Sequence, residues 1–146
     1  GYTNLMLNYK TNISLSKYIF PTFDKNIDLL PTGPMPPNPV ELLASEKNKK
    51  LLEHLKTKYD LIIMDCAPVI GLSDSLILAT LSDINLVTVS AKKTRMENLA
   101  QVQKIFNQAN LKINGVILNK VPMSGSRYYS YHYTYSSDNY GEPAKK

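Results

Sequence analysis

Two short apolar runs restrict the architectures open to this chain. Leu61-Ile-Ile-Met64 and Val116-Ile-Leu118 are unbroken by polar residues, and they stop at Asp65 and Asn119. A strand with one wet face alternates apolar and polar side chains, whereas a strand covered on both faces reads as a continuous apolar run. Both runs therefore belong in a sheet with helices on each side, and the segments between them supply helices. Ser45 reads as an N-cap for a helix on which Leu51, Leu52, Leu55 and Tyr59 recur at helical spacing. Ser73 caps a short helix bearing Leu76, Ile77 and Ala79 to Leu81, and Ile84–Val89 is a largely β-branched strand. Thr94 and Glu97 form a T-x-x-E capping box, opening a helix with Met96, Leu99, Ala100, Gln103 and Phe106 on one face. Ile113–Leu118 is the last strand. Strand–helix alternation with short connections predicts an α/β domain with a mainly parallel sheet flanked by helices.

The first 25 residues carry weak patterning. A short helix is expected from Ser14 to Phe20, stopped by Pro21, and a short strand over Asn26–Leu30. Five prolines among the nine residues Pro31–Pro39 fix φ and remove donors, so this stretch is a stiff loop. Pro39 suits the first position of a helix carrying Glu41, Leu42 and Leu43. Pro122 closes the folded part, which gives a domain over residues 1–122 and a tail over 123–146.

A chain of 146 residues has room for one domain with a real core. The net charge of +5 is spread over separate lysines, which reads as solvated helix faces with a weak attraction to phosphates. No basic stripe interleaved with aromatics points to nucleic acid. The single cysteine, Cys66, makes no internal disulfide and no metal-ligand pair, which suits a reducing compartment. No apolar run approaches a membrane span, and no signal peptide is recognisable. A first residue Gly1 rather than Met suggests a fragment or a processed product. The tail holds six of the ten tyrosines: Tyr128, Tyr129, Tyr131, Tyr133, Tyr135 and Tyr140. So few aliphatic residues accompany them that the composition implies an exposed, mobile segment. Clustered phenol hydroxyls suit acceptance of phosphoryl groups; the plainer reading is an unmodified aromatic-polar low-complexity tail.

In open parallel sheets, ligands bind beyond the carboxyl ends of the strands, where Asp65 and Asn119 stand. Four apolar residues and an Asp form a Walker B type pattern, whose carboxylate holds Mg²⁺ directly or through water beside nucleotide phosphates. A turn-forming or helix-capping aspartate is an equal reading of Asp65. Asn119, followed by Lys120, offers an amide to an adenine edge, or simply tolerates the turn. No G-x-x-x-x-G-K-[ST] loop occurs in the 146 residues, so no device for cradling a triphosphate is visible.

These segments resemble those of the bacterial tyrosine kinases, the autokinases of capsule and exopolysaccharide operons. DLLPTGPMPPNPVELL at residues 28–43 is similar to their L-x-x-G-x-x-P-P-N-P-x-E-L-L signature, and Tyr59–Val69 to their Walker B block. Ser73-Asp74, Thr94-Arg95, the run Gly115–Val121 and the C-terminal tyrosine cluster also match. Ala67 stands where the family has a proline. The resemblance covers nearly the whole chain; its Pro-rich block and tail are the specific parts, since the Walker B and L-N-K elements also occur in related ATPases of the MinD and ParA kind.

The resemblance implies a P-loop-NTPase-like fold, incomplete at the N-terminus because the family's Walker A and A′ motifs precede a segment like Gly1–Leu5. It implies transfer of the ATP γ-phosphoryl to tyrosines, with Mg²⁺ held at Asp65, an adenine contact at Asn119, and the six tail tyrosines as acceptors in trans. No catalytic residue carries over. The implied partners are a membrane-embedded polysaccharide chain-length regulator, further subunits in a ring and a tyrosine phosphatase, at the cytoplasmic face of the membrane. Other readings are a non-catalytic interaction or phospho-acceptor module and a MinD- or ParA-like ATPase. Without the family's central P-loop strand, the remaining strands should expose unpaired backbone and apolar surface.

Overall fold

The computed structural model describes residues 1–10 and 13–122. The six tail tyrosines, and the expected boundary of the tail with them, lie outside the described residues. The elements in chain order are α1 (Tyr2–Asn8), a single 3₁₀ turn (Leu15–Lys17), β1 (Phe20–Pro21), β2 (Asp28–Leu29), α2 (Pro39–Ala44), α3 (Glu46–Lys56), α4 (Asp74–Thr80), β3 (Leu86–Ser90), α5 (Met96–Gln108) and β4 (Gly115–Asn119). The fold is α/β. β3 and β4 pair in parallel, with Leu86 beside Gly115 and Ser90 beside Asn119, and α5 is the crossover between them. β1 and β2 form a separate antiparallel pair.

Two apolar cores hold the described residues together. The first joins α1, the 3₁₀ turn and α3 through Leu5, Met6, Leu15, Leu51 and Leu55. The second joins α4 and α5 through Ala79, Val102 and Phe106, with Val87 packed against it from β3. Polar side chains fix the first core. Buried Asn48 donates through Nδ2 to the carbonyl of Leu43 at 2.7 Å and accepts from the Tyr2 hydroxyl at 3.0 Å, which ties α1 and α2 to α3. The Lys47 ammonium reaches the carbonyl of Met6 at 3.0 Å. The Pro-rich loop receives the start of α1, where Tyr2 N donates to Pro31 O at 2.6 Å and Thr3 N to Thr32 O at 2.9 Å. A Cβ on Gly1 would sit 2.5 Å from Pro31 O, so this close approach requires a glycine.

Several local expectations are met. α2 begins at Pro39, and Ser45 Oγ accepts from Asn48 N at 3.2 Å, capping α3. Others are corrected. The helix expected over 14–20 is one 3₁₀ turn, and α1 lies in a stretch with no clear pattern. The Thr94–Glu97 box does not form: α5 starts after Arg95, whose side chain makes no cap, and Thr94 Oγ1 accepts from Ser90 N at 2.9 Å instead. Ser73 holds the N-cap position of α4 without a side-chain bond to the helix. The strand expected over Leu61–Met64 has no pairing partner among the described residues and is not a ladder strand. Burial of both sheet faces is not seen either, since Val116, Ile117 and Leu118 are exposed. Among the described residues, the expected exposure of unpaired backbone and apolar strand surface is seen.

Candidate functional site

A cavity of about 1220 Å³ separates residues 59–70 from β3 and α5. Asp65, Ser75, Thr94 and Asn119 all line it. The parallel run of β3 and β4 places Ser90 and Asn119 side by side at the carboxyl end of the sheet. Asp65 lines the same cavity. The structure thus brings together the two site residues read from the sequence, while the tyrosines stay outside the described residues.

Asp65 is exposed, and no group of three or more His, Cys, Asp or Glu side chains surrounds it among the described residues. An exposed carboxylate lining a cavity, with no cluster of three such ligands around it among the described residues, fits Mg²⁺, which keeps several waters and takes one or two carboxylates together with phosphate oxygens. It does not fit a cation that needs an all-protein cage. Asn119 is already engaged in its turn. Its Oδ1 accepts from Lys120 N at 2.7 Å and its carbonyl accepts from Ala91 N at 2.7 Å, while Lys120 takes a positive φ of 57°. The turn-forming reading of Asn119 therefore accounts for one side of its amide, and Nδ2 keeps the donors an adenine ring nitrogen would accept from.

The neighbouring side chains were not legible in advance. Ser75 Oγ donates to the carbonyl of Ala67, which fastens the loop after Asp65 to the first turn of α4. Thr94 Oγ1 holds Ser90 N and closes the turn that leads out of β3. Ser90 Oγ, at the sheet's carboxyl end, is buried with no hydrogen-bond partner among the described residues. Cys66 is exposed at the rim, yet the protein around it removes enough water to push its thiol pKa up, and the Asp65 carboxylate adds to the effect. A thiol shifted this way is a poor nucleophile at neutral pH. No helix among the described residues is long and apolar enough to cross a membrane.

Comparison with known proteins gives a consistent picture. Residues 2–118 match the AAA domain family. The tyrosine-protein kinase YwqD of Bacillus subtilis is 31% identical over 134 residues, 92% of this chain and 55% of that protein. The tyrosine-protein kinase ptk of Acinetobacter johnsonii is 36% identical over 115 residues, 79% of this chain and 16% of that protein. Among solved structures, the VpsO kinase domain superposes with a TM-score of 0.76 at 34% identity, covering 84% of this chain and 59% of that domain. The chain thus spans little more than half of YwqD and of the VpsO kinase domain, and a small share of ptk.

Proposed function

The chain belongs to the AAA domain family and corresponds to part of a bacterial tyrosine-kinase domain, and on that premise we propose that it serves protein-tyrosine autophosphorylation in capsule or exopolysaccharide synthesis. In this reading the γ-phosphoryl group of ATP passes to a tyrosine hydroxyl, which loses its proton while ADP leaves. Asp65 would hold Mg²⁺ and Asn119 Nδ2 would meet the adenine, both from the lining of one cavity. Bound Mg²⁺ supplies neutralisation of the charge that develops between the phosphates. The acceptors are Tyr128, Tyr129, Tyr131, Tyr133, Tyr135 and Tyr140 of a neighbouring copy. Each modification adds roughly −1.5 to −2 charge, so successive events repel one another and loosen a ring of subunits. A membrane-embedded chain-length regulator activates the kinase and brings it to the inner face of the membrane, and a tyrosine phosphatase resets it.

The observation that carries this reading is the position of Asp65. It ends an apolar run and shares one cavity with Asn119, in a chain that superposes on a kinase domain. Because these residues include no Gly-rich phosphate loop, the chain by itself should bind Mg-ATP weakly, which favours an acceptor role for it when alone. The test is a fusion in which this chain replaces the matched residues of YwqD. Incubated with Mg-ATP, it should gain phosphotyrosine in the tail, and Asp65→Ala should cut the rate at least a hundredfold while leaving the melting temperature unchanged. Equal phosphorylation of both forms would sink the assignment of Asp65. An inert but folded fusion would sink the kinase reading.

A further inference from the structure

The outer edge of β4 is open. β4 pairs with β3 on one side, and no strand pairs with its other side among the described residues. Successive residues of a strand turn their N–H and C=O groups to opposite sides. Asn119 turns its carbonyl toward β3, where it accepts from Ala91 N at 2.7 Å. Val116 and Leu118 have the other parity, so their N–H and C=O groups point outward. Their side chains share one face of the sheet and are 53% and 56% exposed. An apolar edge of this kind is a template for a further strand.

The sequence carries such a strand a few residues beyond β4. In Tyr129-Ser-Tyr131-His-Tyr133-Thr-Tyr135, tyrosine alternates strictly with polar residues. Period-2 alternation with an aromatic at every second place is the pattern of a strand that rests one face on an apolar surface. Pro122 and Gly125, between β4 and this run, are turn formers. A run so poor in aliphatic residues does not fold alone, but it can order on a ready edge, where main-chain bonds supply affinity and alternate side chains supply fit. We infer that residues 129–135 add to the outer edge of β4 of their own chain as an antiparallel strand, with Tyr129, Tyr131, Tyr133 and Tyr135 on the face of Val116 and Leu118. That register covers two bare apolar side chains. A slip by one residue would move the tyrosines to the face of Ile117, which stands between Gly115 and Asn119. A docked tyrosine is withheld from a neighbouring copy. Phosphorylation opens the latch, a step that rests on the proposal that these tyrosines accept phosphoryl groups. Alternate residues of a strand stand about 7 Å apart. Phosphates of roughly −1.5 to −2 charge at that spacing repel one another, and contact with Val116 and Leu118 would strip their water.

Backbone amide exchange of the 146-residue chain, followed by NMR, tests the inference. The comparison is a variant carrying Tyr131→Pro and Tyr133→Pro, which cannot complete the ladder. The amides of Val116 and Leu118 should exchange at least tenfold more slowly in the wild type than in the variant. Those of Val87 and Val89, which face β4, should not change. A third form carries phosphotyrosine at 131 and 133, introduced by peptide ligation, and should exchange like the proline variant. Because the phosphate is placed by synthesis, this result does not depend on any kinase activity, and the fusion test can fail without touching it. Equal exchange of Val116 and Leu118 in the wild type and the proline variant would overturn the inference. So would protection that rises with protein concentration, since a second copy would then supply the strand. Protection that survives in the phosphorylated form would overturn the latch.

Discussion

Replacing Asn48 by Ala should destabilise the first core more than its size suggests. The side chain is 2% exposed and its two ends join different elements. Truncation removes the 2.7 Å bond to Leu43 O and the 3.0 Å bond from Tyr2. Each is worth about 1 kcal/mol net, and leaving a carbonyl unpaired in a site closed to water adds about 1 kcal/mol, so the loss is roughly 3 kcal/mol. Tyr2→Phe removes one of the two bonds and should cost about 1 kcal/mol. Because both changes delete the same Tyr2–Asn48 bond, the double variant should cost about 3 kcal/mol and not about 4, a coupling of about 1 kcal/mol. Urea unfolding followed by far-ultraviolet circular dichroism measures this. With a slope of about 1.5 kcal/mol per molar, Asn48→Ala should lower the midpoint by about 2 M. A shift corresponding to less than about 0.5 kcal/mol would refute the claim that Asn48 is a structural node. Strict additivity of the two substitutions would refute its bond to Tyr2.

Three further outcomes are expected. Ser45→Ala should cost about 1 kcal/mol, because its Oγ caps α3 through Asn48 N, and Ser45→Asp should restore most of this in the same urea assay. Gly33 has φ of +83° and faces Asn4 Oδ1, so Gly33→Ala should cost about 1–2 kcal/mol and lower the thermal midpoint. Burial pushes the Tyr2 pKa up from 10.0 to about 12. A folded pKa raised above the unfolded one means that the native state holds the proton longer, so this contribution is complete below pH 10 and is lost as pH rises from 10 to about 12. After discounting for solvent screening of a half-buried ring it amounts to roughly 1 kcal/mol. Unfolding across that range should show a steeper alkaline loss for the wild type than for Tyr2→Phe, and identical slopes would count against the burial.

What was legible in the sequence is what local chemistry decides. Pro39 starts α2 and Ser45 caps α3 because a ring or a hydroxyl at a helix start acts within a few residues. The cores of β3 and β4 followed from β-branched and apolar runs, displaced by one or two residues. What escaped depends on distant partners. α1 is held by the Pro-rich loop and Asn48, about which residues 2–8 carry no signal. Thr94 had two uses for its hydroxyl, and the turn at Ser90 took it. Residues 61–64 have every strand propensity, but a ladder needs a neighbour on at least one side. At the site, Asp65 and Asn119 were legible as ends of apolar runs, whereas the roles of Ser75, in the first turn of α4, and Ser90, at the end of β3, depend on which distant groups their hydroxyls meet, which no spacing encodes.

The two cores share no buried residue. Between them run residues 57–73, where α3 has ended and α4 has not begun; besides the seam where α2 meets α4, the Lys56–Asp83 pair that ties them at 3.8 Å is exposed. Exposed ion pairs couple their surroundings weakly. Cooperativity is therefore expected to be regional: each cluster is its own unit of melting, and hydrogen exchange should resolve separate opening free energies for them. Calorimetry of this chain should give a measured enthalpy larger than the van't Hoff enthalpy, the mark of more than one transition. A polypeptide that docks between the two units would have a thermodynamic effect beyond its own contacts, by merging two independent melting events into one.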